Sequence, residues 1–163
     1  MSNVKGSSAL YENIVETYQT IAGAGSDNLY QVTGIVKVHY IYGIVDVVLD
    51  ATVTDAYLEV DDGGAQTVLT LVAGAPDISA APVGSYLVKS GLATDILQYV
   101  ASTTANISEV AMPTVFSQVV VVQKTGGVAT YIRLTHAGAG ASGKIHWYCK
   151  WEKMSRDANL VAA

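Results

Sequence analysis

The sequence predicts an all-β protein: a β-sandwich or barrel, jelly-roll or immunoglobulin-like, of about eight antiparallel strands with an N-terminal arm. Short runs rich in Val, Thr, Tyr and Ile alternate in polarity with a period of two residues, and 15 glycines punctuate them. Only 14% of the residues are charged, against about 25% in average soluble domains. Because so few charges cover a monomer poorly, we expect apolar surface to be buried between subunits.

The first 28 residues are predicted to form an arm, and residues 29–163 the β domain. Residues 1–9 are rich in Ser and Gly and predict a flexible leader. Residues 10–22 fit two structures, since their apolar side chains recur at helical spacing while Thr17 and Thr20 favour a strand. An edge strand is the main prediction, with a short helix as the alternative, followed by a turn over 23–28.

The longest β signal runs from Ile35 to Val53, and its alternation changes phase at Gly43. Side chains before the change share one parity (Val36, Val38, Tyr40, Tyr42), and those after it share the other (Val45, Val47, Leu49, Ala51). Because side chains of a strand alternate strictly between faces, the change predicts a bulge, a bend or a crossing between sheets. The segment is therefore two strands, or one long strand that changes partner.

The middle of the chain predicts short strands joined by turns. Asp61-Asp62-Gly63-Gly64 is typical of a hairpin turn between strands at 56–60 and 66–72. An irregular connection with two prolines follows. The remaining predicted segments are that connection at 74–82, strands at 85–88 and 96–100, and a loop at 101–113.

The last third gives the clearest strand pattern. Four consecutive valines, 119–122, within a strand at 115–123 predict burial on both faces. Gly126-Gly127 then turns the chain into a strand at 128–136. In 144–152, Ile145, Trp147, Cys149 and Trp151 share one face, opposite Lys144, His146, Tyr148 and Lys150. This alternation predicts a half-buried antiparallel strand that closes the core.

No catalytic, cofactor or metal site is predicted. Residues 138–143 match the dinucleotide pattern G-x-G-x-x-G, but the helix that would hold a pyrophosphate is replaced by a strand, so the stretch predicts a hairpin loop. His39, His136 and His146 have no short ligand spacing. The single cysteine, Cys149, lies on the apolar face between two tryptophans, where a thiol is buried and inert.

The charges are distributed unevenly along the chain. The formal charge of −5 argues against nucleic-acid binding. An acidic tract without Lys or Arg precedes a basic C-terminal third; the acidic residues are Asp46, Asp50, Asp55, Glu59, Asp61 and Asp62, and the basic ones Lys124, Arg133, Lys144, Lys150, Lys153 and Arg156. We predict that these two groups meet across a subunit or capsid interface. Neither a signal peptide nor an apolar run of membrane-spanning length is predicted.

Three stretches resemble structural proteins of tailed-bacteriophage virions. They are residues 30–38 with 41–45 (YQVTGIVKV, IYGIV), residues 83–91 (VGSYLVKSG), and residues 142–151 running into 154–163 (SGKIHWYCKW, MSRDANLVAA). The resemblance covers roughly residues 28–163. Lys153 and Met154 depart from it, where related sequences show Pro and Leu. It implies a small β-rich domain displayed on the virion, often as a trimer that reinforces the capsid lattice.

The prediction is a non-enzymatic homotrimeric capsid decoration (cement) protein that binds the major capsid protein. It would be made in the host cytoplasm and sit on the capsid surface, with neither a small-molecule nor a membrane partner. The predicted interface residues are Tyr11, Ile14, Val15, Tyr18, Asp46 and Asp50. Two alternatives remain: a tail or neck component, and a host-surface module that binds carbohydrate through tyrosines (Tyr11, Tyr18, Tyr30, Tyr40, Tyr42, Tyr57).

Overall fold

The computed structural model describes residues 13–89, 92–102, 118–124, 128–138 and 142–163. Within these ranges the chain forms eleven strands and no helix, so the all-β prediction is confirmed. The strands are β1 Asn13–Thr20, β2 Gly25–Thr33, β3 Ile35–Val47, β4 Thr54–Asp61, β5 Gln66–Val68, β6 Tyr86–Lys89, β7 Gln98–Val100, β8 Val119–Val122, β9 Thr130–Ala137, β10 Lys144–Lys153 and β11 Asn159–Ala162.

The strands form two antiparallel sheets, consistent with a β-sandwich. Sheet A has the order β1-β10-β3-β6-β7, with β8 also paired to β3, and sheet B has the order β11-β2-β9-β4-β5. The apolar side chains of the two inner faces form one core, in which Trp147, Ile132 and Leu134 are fully buried. Each aliphatic side chain of that size stabilises the fold by about 1.5–3 kcal/mol when buried.

Strand β10 follows its predicted pattern. Ile145, Trp147, Cys149 and Trp151 point into the core, and the alternate side chains from Lys144 to Lys150 are half-buried on the outer face. The Trp147 Nε1–H donates to Gln19 Oε1 at 2.8 Å, which satisfies the buried indole and ties β10 to β1. The strand lies between the edge strand β1 and the central strand β3 of sheet A.

The N-terminal region is built into both sheets. Asn13–Thr20 is a strand at the edge of sheet A, paired with β10 over its whole length, so the helical alternative is wrong for these residues. The predicted turn at 23–28 is wrong from Gly25 onward, because β2 begins there and pairs with β9. Polar side chains hold this part of β2: Ser26 bonds Thr135, and Asp27 accepts from Gln19 at 2.7 Å.

Strand β3 is one long strand that changes partner, which confirms one of the two predicted alternatives. It pairs with β8 along 35–38 and with β6 along 41–44. The predicted change of phase is real but lies at His39 rather than Gly43, where the pairing with β10 skips one residue. Val36 and Val38 therefore point inward, while Tyr40 and Tyr42 lie outside the core.

Two other segments differ from expectation. The hairpin at Asp61–Gly64 forms as predicted, but β5 ends at Val68. Strand β8 is covered on one face only: Val121 is buried, whereas Val120 and Val122 are 51% and 57% exposed. The prediction that the four valines are buried on both faces is wrong, because β8 borders a groove beside its pairing with β3. The predicted loop beyond Ser102, the Gly126-Gly127 turn and the middle of the 137–143 loop lie outside the described residues.

Candidate functional site

A row of rings covers the outer surface of strands β1, β10 and β3. We call it the aromatic face, formed by Tyr18, Tyr40, Tyr42, His146 and Tyr148 and bordered by Ile14, Glu16, Ile44, Lys144 and Lys150. The strand register creates it, since Tyr18 lies opposite His146 and Tyr42 opposite Tyr148. The bulge at His39 turns Tyr40 and Tyr42 outward onto this face.

The rings stack across the strands. The centroids of Tyr18 and His146 lie 3.9 Å apart, and those of Tyr42 and Tyr148 lie 4.7 Å apart, with planes inclined by 19° and 11°. A tilted contact of 4.2 Å between His146 and Tyr148 joins the two pairs. Rings stacked on cross-strand partners stand upright on the sheet, so they present their edges rather than their faces to a binding partner.

Polar groups are interleaved with these rings. His146 Nδ1 lies 2.9 Å from the Tyr148 hydroxyl, and its Nε2 lies 3.2 Å from Glu16 Oε2. Lys144 Nζ lies over the Tyr18 ring at 4.3 Å, within cation–π distance. Burial, followed by the neighbouring Tyr148 phenol, raises the pKa of Tyr42.

The aromatic face also carries exposed apolar side chains. Tyr18 is 57% exposed, Ile14 48% and Ile44 38%. Tyrosine and isoleucine grouped among a few charges differ from the scattered single apolar residues of an ordinary surface. Such a composition is typical of the central part of protein–protein interfaces, where aromatic residues are enriched.

The outer surface of sheet B has a different character. Glu59 is only 2% exposed and accepts from Arg133 Nε at 2.6 Å and from the Thr135 hydroxyl at 2.6 Å. The same guanidinium donates to Asp61, and Thr135 bonds Ser26. We call this group (Ser26, Glu59, Asp61, Arg133, Thr135) the polar network. Both of its carboxylates bond the one guanidinium.

The structure places the predicted interface residues in different surroundings. Ile14 and Tyr18 lie on the aromatic face, Val15 turns inward against the core, and Tyr11 lies outside the described residues. Asp50 stabilises its own loop, because its carboxylate accepts hydrogen bonds from the Thr52 backbone N–H and hydroxyl. Whether any of these residues contacts a partner remains a prediction.

The acidic and basic groups already meet within one chain. Lys144 Nζ lies 3.9 Å from Asp46, Lys124 lies 3.3 Å from Asp62, and Arg133 joins Glu59 and Asp61. Antiparallel pairing brings β4 beside β9 and β3 beside β10 within one domain, which places Arg133 beside Glu59 and Asp61, and Lys144 beside Asp46. That charges of the two groups also meet between subunits stays a prediction.

Tyr18, Tyr40 and Tyr42 were predicted as candidate binding residues, but the assembly of these rings with those of β10 into one face was not predicted. The alternation of β10 placed His146 and Tyr148 outside, but nothing in the sequence showed that β1 and β3 supply partner rings. Parity placed Tyr40 and Tyr42 on the same face as Val36 and Val38, but the bulge at His39 turns the two tyrosines to the opposite face.

The remaining candidate groups lie apart. His39 contacts Glu152 at 3.2 Å and His146 contacts Glu16, whereas the buried His136 lies in sheet B with Asp27 at 3.6 Å. Among the described residues no three His, Cys, Asp or Glu side chains are grouped to hold a metal ion. Burial raises the pKa of the Cys149 thiol. After Gly143 the chain enters β10 directly.

Comparison with protein-family models, with curated proteins and with solved structures finds no match to this chain. A search of the described residues also finds no helix that is long and apolar enough to span a membrane.

Proposed function

We propose that this chain is a structural protein of a tailed-phage particle, a homotrimeric capsid decoration protein that binds the major capsid protein through its aromatic face. It is synthesised in the host cytoplasm, acts on the capsid surface and has no catalytic role. A ligand that binds only the assembled lattice stabilises the lattice by mass action. The aromatic face is the observation that carries the proposal.

The composition of the aromatic face supports a protein partner. Upright tyrosines offer large contact area with few rotatable bonds, and residues of this kind dominate interface energies. Lys144 and Glu16 border the rings and provide charges of both signs for orienting a partner. The resemblance of residues 28–163 to phage virion proteins and the low content of charged residues support the same proposal.

A carbohydrate-binding role is less well supported by the ring geometry. Sugars stack on exposed ring faces, but Tyr42 and Tyr148 cover one another, and His146 and Lys144 lie against Tyr18. Tyr30, another tyrosine considered for this role, is fully buried. The aromatic face therefore suits a flat protein surface with hydrogen-bonding groups better than a sugar ring.

The test is co-sedimentation of the purified protein with capsids that lack it. Tyr42→Ala combined with Tyr148→Ala should weaken binding at least about tenfold, the loss expected for interface hot spots. Tyr131→Ala is the matched control, because Tyr131 is a half-buried tyrosine on the outer surface of sheet B. Undiminished binding by the double variant would exclude the aromatic face. If the protein does not sediment with capsids but binds to a glycan array, the result would favour host recognition.

A further inference from the structure

In the row of sheet A that contains Asn13, the described strands end in two different edges. Asn13, Trp151, Val38 and Val119 are successive partners in one row of the ladder, so β1 and β8 lie at opposite edges of that row. Within the described residues β1 pairs only with β10, and β8 only with β3. Open strand edges are templates for pairing with another chain.

The edge of β8 has its backbone groups arranged for a further strand. The Gln123 N–H donates to the Gly34 carbonyl at 2.8 Å, on the β3 side. In an antiparallel pair, successive residues direct their N–H and C=O groups alternately towards the partner strand and away from it. Val119 and Val121 therefore also bond towards β3, whereas Val120 and Val122 direct these groups to the other side, where no described strand pairs with them. The side chains of Val120 and Val122 are more than half exposed.

A groove of about 260 Å³ runs beside this edge, between β8 and the β4–β5 hairpin. Its walls are mainly apolar: Val60, Ala65, Leu69 and the four valines of β8. Asp62, which also lines the groove, is neutralised by Lys124 at 3.3 Å. An extended segment with small and apolar side chains fits such a groove, with main-chain bonds to β8 supplying affinity.

The chain itself contains a segment of this kind. Twelve residues precede Asn13 here, and they include Val4, Ala9, Leu10 and Tyr11 among serines and a glycine. Fully extended they reach about 40 Å. They precede β1, which lies at the edge opposite β8, so a second subunit placed side by side would bring its β8 edge next to β1.

A cyclic trimer requires such a pair of unlike surfaces. Subunits related by a threefold axis meet through two different patches, and the contact closes into a ring. We propose that residues 1–12 of one subunit add a strand to β8 of the next and fill the groove beside it. This inference rests on the trimer of the proposed function, not on capsid binding.

The test uses variants of the full chain that each carry one introduced cysteine, mixed and allowed to exchange subunits. After mild oxidation, Leu10→Cys mixed with Val120→Cys should give a covalent dimer on a non-reducing gel, because only different chains can then be joined. The control mixes Leu10→Cys with Val161→Cys, an exposed position on β11, and should give no covalent dimer. Native Cys149 is buried and does not interfere.

The outcomes separate this inference from the proposed function, since no capsid is present. The cross-link supports the inference even if capsids are not bound. A trimer by native mass that fails to cross-link overturns the inference and leaves the decoration role standing. A monomer, or a cross-link confined to one chain in a variant carrying both cysteines, overturns the inference as well.

Discussion

The outer surfaces of the two sheets use polar and aromatic residues in opposite ways. On sheet B, Glu59 and Arg133 are 2% and 13% exposed at their side chains and are bonded to one another. On sheet A, Glu16 is 57% exposed at its side chain, and the nearby Tyr18 is also 57% exposed. The same residue types therefore stabilise the chain on one surface and remain accessible on the other.

This difference separates residues that hold the fold from residues that are available to a partner. Breaking a buried charge pair leaves an uncompensated charge and destabilises a protein strongly. An exposed pair contributes little, because water already solvates both groups. The polar network should therefore control stability, and the aromatic face should control binding.

The largest effect is expected from Glu59→Ala. This change removes the acceptor of Thr135 and one of the two carboxylates bonded to Arg133. It should lower the free energy of unfolding by about 3–5 kcal/mol, since each hydrogen bond to a charged group contributes about 1.5–3 kcal/mol. Urea unfolding followed by tryptophan fluorescence measures the loss as a lower midpoint with an unchanged slope. Glu16→Ala is the matched control, and we expect it to cost less than about 1 kcal/mol. Equal losses for the two variants would contradict the distinction between the surfaces.

A smaller effect is expected directly beneath the aromatic face. Gly43 points inward, and a Cβ there would lie 2.8 Å from the Trp147 ring and from Ile145. Gly43→Ala should destabilise the protein by about 1–3 kcal/mol, since overpacking a filled core forces side chains to move. It should also weaken capsid binding, because Tyr42 lies next to Gly43 on β3.

Gly64→Ala is the control for added volume. The nearest atom to its Cβ is the flexible end of Lys124, at 3.0 Å, which can move aside. Differential scanning calorimetry of the two variants measures the comparison. A Gly43→Ala protein as stable as Gly64→Ala would mean that β3 and β10 tolerate separation, and the ring stack would then lose its rigid support.

The sequence predicted the fold better than the site. Alternation in β10 identified four core residues because one face of that strand is buried along its length. The alternation placed the phase change of β3 at the wrong residue, because a bulge inserts one residue without any signal in the composition. The change was assigned to Gly43 because glycine within a strand often marks a bulge. The prediction also failed in β8, where valine reports β propensity but not which face a neighbour covers.

The candidate site depended on contacts between distant segments. Tyr18 and His146 are separated by more than a hundred residues, and only the strand register brings their rings together. Intramolecular pairing of Glu59 with Arg133 was hidden for the same reason, so the acidic tract was interpreted as a surface for another subunit. Pairing between strands is a long-range property that local periodicity does not contain.

The smallest effect concerns acid stability. Backbone hydrogen bonds from Ala65 and Gly64, with Lys124 nearby, lower the pKa of Asp62 on the hairpin of sheet B. On sheet A, the hydrogen bond from Lys37, followed by that from His39, lowers the pKa of Glu152. A carboxyl whose pKa is lowered on folding stabilises the protein above its ordinary pKa of about 4, and this contribution is lost as the pH falls through the folded value.

Asp62→Asn and Glu152→Gln remove only the charge, so each variant should melt at a lower temperature than the parent at pH 7. The difference should shrink between about pH 5 and pH 3, where the parent carboxyl becomes protonated. Melting temperatures across this range measure it. Asp62→Asn keeps an oxygen that can accept from Ala65, so a constant deficit at every pH would show that the turn geometry, rather than the charge, had been lost.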